Sequence, residues 1–493
     1  MNEPIGSPPP SGGAHRVPPA HSLKKNTIGA FGLTFMVVAA AAPLTAMASN
    51  LSISLAFGVG RGTVGLLIVV GILLGIFAIA FVTMAAHVKN AGAYYAMIGH
   101  GFGRRTGAAS AMVATVAYNM AAAGMAAATG YFASVTIAAA GGPNLPWYAL
   151  ALCTLAATWY LGRRGVEVTQ HFTTGISLLQ FAMIFLLGAV IAIQRPDQWS
   201  LEVVTPSAMF DGNIALTLVF CVLSFVGFEA TAIYGEEAKS ARRSIRLATF
   251  ASVAILVGVF AFSTWSITAA YTDVRAEAAA DPGTLIFRTA DIYLGTWSGT
   301  VLSALVTVSF FAAGVAFHNM AARYHFSLAR DGILPSGLSC IHPLWSTPSA
   351  GSSAQTVVSI IVLLPFVIFS ADPILNLFPI VSGITSLSLI SLTVACSASV
   401  VASSLRGHLS ESRWSTLAAP LTAGICLTGI AVIIVINYAE VTGSTSPLVM
   451  ASPLLPIIAA IVGAVRGGER DSDATGDDPA THPEKVVGKR VQP

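Results

Sequence analysis

Charge is scarce in this chain: Asp, Glu, Lys and Arg make up 10% of its 493 residues, where soluble proteins carry about a quarter. That is too little to clothe an ordinary water-exposed surface, so a large soluble domain is excluded. The net charge of +3 is small and no Lys/Arg stripe interleaves with aromatics, so no nucleic-acid partner is expected. Cysteine is sparse as well. Cys153, Cys221, Cys340, Cys396 and Cys426 lie far apart without CxxC spacing, which argues against zinc or disulfide chemistry and for free buried thiols. Also missing are HExxH, GxSxG and paired intramembrane carboxylates, so the reading assigns no catalytic residue, no metal ligand and no cofactor, and is not that of an enzyme. A channel would show a filter-like repeat, and none is found.

What the chain has in excess is apolar sequence, 55% of its residues. A span needs ~20 mostly apolar residues to cross the hydrocarbon layer. Such runs fall near 27–48, 61–86, 107–138, 145–162, 172–193, 213–235, 247–271, 298–326, 351–370, 374–402, 417–438 and 448–465. The expected class is therefore an all-α polytopic membrane protein of about 12 transmembrane helices. Residues 1–26, rich in Pro, Gly and Ser and ending in Lys24-Lys25, lack the apolar core of a signal peptide. They read as a disordered tail, and residues 466–493 as a second one.

Lys89, Arg104, Arg105, Arg163, Arg164, Lys239, Arg242, Arg243, Arg246, Arg330, Arg406 and Arg413 fall on the side of both tails. Only Arg61, Arg195, Arg275 and Arg288 fall on the other. Positive charge stays cytoplasmic, so both termini are expected in the cytoplasm and the chain in the cell membrane. The cluster Arg242, Arg243 and Arg246 reads as the anchor of the loop between spans six and seven, or as part of an inner gate with Glu236 or Glu237.

Two spans are interrupted. Pro43 sits in the middle of the first, where it removes a backbone donor and clashes with the carbonyl of Ala39. The sixth carries Gly227 and Glu229 in mid-run, and a carboxylate at bilayer depth is expensive enough to be a functional candidate. Broken helices survive in hydrocarbon only where they line a cavity or are buried in protein. Breaks five spans apart are where an inverted five-plus-five repeat would place them, and they point to a transport site at the midplane. A proline kink and a structural hydrogen-bonder remain the plainer readings of either feature alone.

Phe225-Val226-Gly227-Phe228-Glu229, followed by Glu236-Glu237-Ala238-Lys239 and Arg243-Ser244-Ile245-Arg246, resembles span six and its downstream loop in the amino acid–polyamine–organocation (APC) superfamily of permeases. Ser240-Ala241 stands where the family has Asn-Pro. Asn319, Arg323, Ala329-Arg330-Asp331-Gly332-Ile333-Leu334-Pro335 and Thr347-Pro348 are similar to the family's pattern after span eight. Lys89-Asn90-Ala91-Gly92-Ala93-Tyr94-Tyr95 matches more weakly the segment after span two.

The resemblance implies a LeuT-type 5+5 inverted-repeat fold. On that division residues 27–193 hold spans one to five and 194–402 hold spans six to ten. Residues 403–465 carry two peripheral spans. It also implies a secondary transporter working by alternating access on an amino acid, with a decarboxylated amine or polyamine, or a non-transporting receptor of the same fold, as alternatives. The expected partners are that solute and the lipid bilayer; oligomeric state is unknown.

Half-helix ends supply N–H groups to an anion and carbonyls to a cation. Ala41, Ala42, Pro43, Leu44 and Thr45 are expected to line one side of the solute site. Phe220, Ser224, Phe225, Val226 and Gly227 are expected on the other, with Tyr118 and Asn119 reaching in from span three or serving as helix–helix glue. Many family members carry Gly-Ser-Gly in place of Pro43-Leu44-Thr45, which keeps the amine alternative open. For gating or coupling the candidates are Glu229, Gln180 and His318. Some relatives place a lysine where Gln180 stands, and glutamine carries no proton, so a proton or sodium as coupling ion is left open. Gly71, Gly75 and the run Ala121-Ala122-Ala123-Gly124 read as packing surfaces.

Overall fold

The computed structural model describes residues 29–88, 93–164, 167–229, 231, 241–345 and 347–476. Outside them lie the tail 1–26, Lys89, Asn90, Ala91, Gly92, Ala230, the segment Glu236-Glu237-Ala238-Lys239-Ser240 and residues 477–493. The side chains of Met36, Ala39, Ala40, Ile176, Ser177, Ala241 and Arg242 are outside it too.

Each of the twelve apolar runs coincides with a helix or a broken helix. Span two is Thr63–Ala85, span three Arg104–Ala139, span four Trp147–Arg164 and span five Glu167–Gln194. Span seven is Ala241–Ala270, eight Trp297–Arg330, nine Ser349–Ile368, ten Phe378–Leu405, eleven Ala419–Ile436 and twelve Leu454–Gly476. Among the described residues seven helices are long and apolar enough to cross a membrane. An eighth is added if Leu178–Gln194 and Pro196–Val204, bent by 102°, count as one. Spans one and six fall short of that length in each described half because each is broken.

The helices run further than the apolar runs. Arg243 and Arg246, read from sequence as loop residues, lie within the first turns of span seven, because Ala241-Arg242-Arg243-Ser244-Ile245-Arg246 contains good helix formers that carry the helix into the polar zone. Span twelve continues to Gly476, ten residues beyond the start of the expected tail. Its Arg466 donates to the carbonyl of Ile333 at 2.7 Å and so fixes that end to the turn after span eight.

Small residues set the packing. Spans eight, ten and twelve lie along span three, whose alanines and glycines allow backbones to approach closely. A Cβ on Gly124 would stand 2.9 Å from Val381 of span ten, and one on Gly71 would stand 2.2 Å from Val257 of span seven. Gly75 has no neighbour within 4 Å of such an atom. A glycine pair that sequence reading passed over, Gly463 and Gly467, seats span twelve on Ala108.

Short helices join the spans. Ala93–Phe102, between spans two and three, buries Tyr94, Met97 and Ile98, and Ser399 of span ten donates to the Met97 carbonyl at 2.7 Å. Val274–Ala280 and Leu285–Leu294 lie between spans seven and eight. The first of these packs on the Ser52–Phe57 helix of span one.

Candidate functional site

Span one begins as Ala30–Ala41 and breaks at Ala42, which takes left-handed angles of φ 42° and ψ 71°. A residue with a Cβ enters that region at a cost of ~1–2 kcal/mol. The chain resumes as Pro43–Ala46 with proline in the first helical position, where its missing N–H removes a donor that would have been unpaired anyway. The Ala42 carbonyl accepts from the Thr45 N–H at 2.9 Å and from the Thr45 hydroxyl at 2.6 Å. A π-helical turn, Met47–Leu51, and the helix Ser52–Phe57 follow. The hydroxyls of Ser49, Ser52 and Ser54 donate to carbonyls of Thr45, Met47 and Asn50, which satisfies backbone that a bilayer could not.

The first half of span six, Ile214–Ser224, starts on an Asn213 side-chain cap to the Leu216 N–H at 2.9 Å. It ends in a tighter turn in which the N–H groups of Phe225 and Val226 reach Val222 and Leu223 at 3.1 Å. Gly227 then takes φ +112°, a conformation closed to residues with a Cβ. Its N–H donates to Glu229 Oε2 at 2.9 Å, while Tyr118 of span three donates to Glu229 Oε1 at 3.2 Å. Glu229 is only 2% exposed, so these bonds replace solvent around the carboxylate.

The π-turn of span one lies against the end of the first span-six helix. Asn50 Nδ2 donates to the Ser224 hydroxyl at 3.1 Å, joining the π-turn of span one to the last residue of the span-six helix. Ala41, Ala42, Pro43, Leu44, Thr45, Ser224, Phe225, Val226 and Gly227 are all buried. Glu229, Tyr94, Val226 and Thr393 border a cavity of about 20 Å³. That is room for one water, not for a solute, so a solute reaching this cavity requires the surrounding helices to part.

The other expected residues are placed as follows. Phe220 stacks on Phe378 of span ten at 6.1 Å, Phe225 meets Phe260 edge-on at 5.5 Å, and Phe228 packs between Phe77 and Phe81. Asn119 donates to the Thr115 carbonyl at 2.6 Å, and its amide oxygen lies 3.2 Å from His325 Nε2, which ties span three to span eight. His318 Nε2 is 2.8 Å from the Ser352 hydroxyl of span nine. Gln180 is buried in span five, and its amide oxygen has no hydrogen-bond partner among the described residues. No group of three His, Cys, Asp or Glu gathers at metal-binding range among the described residues.

Asn50, Tyr94 and Thr393 were not picked out by sequence reading. Asn50 falls two residues past the first apolar run, and Tyr94 sits inside the Ala-Tyr-Tyr segment, whose sequence signals only a family motif.

A model of the amino acid permease family matches residues 28–462, most of the chain. The chain belongs to this family, within the APC superfamily. The permease is 28% identical over 302 residues to an uncharacterized transporter of Rhizobium meliloti, a stretch covering 59% of this chain and 64% of that protein. It is 25% identical over 217 residues to the low-affinity putrescine importer PlaP of Escherichia coli, covering 42% and 47%. With human cationic amino acid transporter 4 it shares 26% identity over 196 residues, covering 39% and 29%. The matched stretches therefore span less than two thirds of these relatives' own length.

Two solved structures of manganese transporter mutants from Eremococcus coleocola superpose with TM-scores of 0.54 at 15% and 16% identity, covering 92% of the permease and 98% of each structure. At that identity the likeness is one of fold. The chain has the all-helical LeuT-type 5+5 architecture.

Proposed function

We propose that the permease carries an amino acid across the cytoplasmic membrane by alternating access, with both termini on the cytoplasmic side and the solute held between the breaks of spans one and six. The Asn50–Ser224 bond carries this reading, because it puts two irregular backbone segments side by side at a depth where such backbone survives only around a cavity or within protein. The ammonium of the solute faces the carbonyl end of Ala30–Ala41, and its carboxylate faces the first turn of Pro43–Ala46. Glu229 holds the span-six break together and gates it through Tyr118.

One observation favours a decarboxylated amine as a second reading. Pro43 has no N–H, and the Thr45 N–H is already taken by the Ala42 carbonyl, so an incoming carboxylate finds a depleted donor set. The relatives include a protein named as a putrescine importer and one named as a cationic amino acid transporter, which supports an amine-bearing solute in either case. Neither Gln180 nor His318 is given the coupling role. Glutamine carries no proton, and His318 is engaged with Ser352.

Uptake into proteoliposomes of a panel of amino acids and their decarboxylated amines, with pH or sodium gradients imposed, tests the proposal. Stronger competition by the amine than by its parent amino acid would favour the second reading.

A further inference from the structure

A cleft of about 910 Å³ opens between the Ala85 end of span two, the Ala241 end of span seven and the segment leading into span eleven. Its wall on span seven is a single stripe of exposed side chains, Arg243, Arg246, Leu247 and Phe250. The spacing i, i+3, i+4, i+7 puts all four on one helix face. Seven residues of helix separate the first from the last by ~10 Å, so the guanidinium groups stand at one level and the apolar pair at the next. Ile79 and Val82 of span two continue the apolar level across the cleft.

Neither Arg243 nor Arg246 has an ion pair or hydrogen bond among the described residues. The carboxylate on the facing wall, Glu411, is engaged by His87 Nε2 at 3.4 Å. Guanidinium groups without a partner among the described residues, above an apolar floor and opening from a membrane-spanning helix, match a molecule that is anionic at one end and hydrocarbon at the other. A free phosphate would use only the arginines and leave Leu247 and Phe250 uncovered.

We propose that this cleft binds an anionic phospholipid, with the phosphate on Arg243 and Arg246 and the acyl chains along Ile79, Val82, Leu247 and Phe250. The site is separate from the breaks in spans one and six.

The test uses the full-length permease, delipidated in detergent, with phosphatidylglycerol, phosphatidylcholine or inorganic phosphate added. Bound lipid is counted by native mass spectrometry and stabilisation is followed by thermal unfolding. Phosphatidylglycerol should bind and raise Tm, the other two should do neither, and the double variant Arg243→Gln/Arg246→Gln should bind it about thirtyfold more weakly, the factor expected from two surface arginines. A charge-keeping double variant, Arg243→Lys/Arg246→Lys, should retain most of the binding, which separates loss of charge from loss of fold. Equal binding of phosphatidylglycerol by the Gln variant, or equal stabilisation by phosphatidylcholine or phosphate, would overturn the proposal. So would a photo-crosslinker introduced at Ser415 that captures the chain's own residues 1–28 instead of lipid.

Discussion

Tyr118 of span three donates its hydroxyl to Glu229 Oε1 at 3.2 Å, so the carboxylate in the break of span six is held by a helix that is not broken. The other oxygen accepts the Gly227 N–H, which makes Glu229 the cap of an otherwise unpaired backbone. Glu229→Ala leaves both donors buried without a partner, at ~1–3 kcal/mol each. It should lower Tm in detergent and abolish uptake. Glu229→Gln keeps one acceptor oxygen and should unfold closer to wild type while transporting poorly. Unchanged transport and unchanged pH dependence in the Gln variant would remove any essential role for the carboxylate.

Tyr118→Phe deletes one hydrogen bond and little volume. A hydrogen bond of this kind contributes about 0.5–1.5 kcal/mol, so a measurable drop in Tm is expected. If Tyr118 transmits movement between spans three and six, the maximal uptake rate should fall further than apparent affinity. An equal loss in both would reduce Tyr118 to a packing role.

Ala42 holds the span-one break at φ 42° with a Cβ in place. Ala42→Gly should relieve that strain and raise stability by at most ~1 kcal/mol, since glycine also frees the unfolded chain. Ala42→Val should destabilise by more, because a β-branched residue is a true outlier in this region. Thermal unfolding of the two variants in one detergent gives the order directly, and a Val variant as stable as the Gly variant would contradict the assigned conformation.

Arg275 ties three segments together on the face opposite the proposed cytoplasmic one. Arg275 donates to the Asp211 carbonyl at 2.5 Å, lies 3.6 Å from its carboxylate and reaches Gly58 at 3.5 Å. It thereby joins the end of span one, the approach to span six and the Val274–Ala280 helix. The ion pair is exposed and worth little by itself, but the two carbonyl bonds fix three segments at once. Arg275→Ala should speed labelling of buried Cys221 by an impermeant thiol reagent added from outside, in a background with Cys153, Cys340, Cys396 and Cys426 replaced by Ser. Unaltered labelling would remove this tie from the transport cycle.

Span twelve makes a structural prediction of its own. A Cβ on Gly463 would lie 2.5 Å from the Ala108 carbonyl, so Gly463→Leu must push the helices apart. Overpacking of this kind costs ~1–3 kcal/mol, and the variant should show a lower Tm. A Tm equal to wild type would mean that span twelve does not rest on span three as described.

The spans, their order and the two breaks were legible because bilayer physics writes them into composition: long apolar runs, with Pro43, Gly227 and Glu229 as the exceptions. Asn50 was not, since an amide beyond the end of an apolar run looks like a boundary until the π-turn of Met47–Leu51 aims it at Ser224. Phe220, Phe225 and Phe228 were equally ambiguous, because periodicity gives a face and not the neighbour on it; all three pack against other rings. Gly463 and Gly467 were hidden in a run that seemed peripheral, and only their contact with Ala108 shows why that helix needs glycine.

Uptake by purified permease in proteoliposomes is the most direct measurement of the central claim, compared with the Gly227→Val variant reconstituted alongside. The account predicts that an amino acid, or its amine, accumulates inside wild-type liposomes under a pH or sodium gradient, or exchanges with the same solute preloaded. The variant, which cannot hold φ +112°, should give only the background of empty liposomes. No retention or exchange of any solute by the wild type under any gradient would contradict the account and leave a receptor built on a transporter fold.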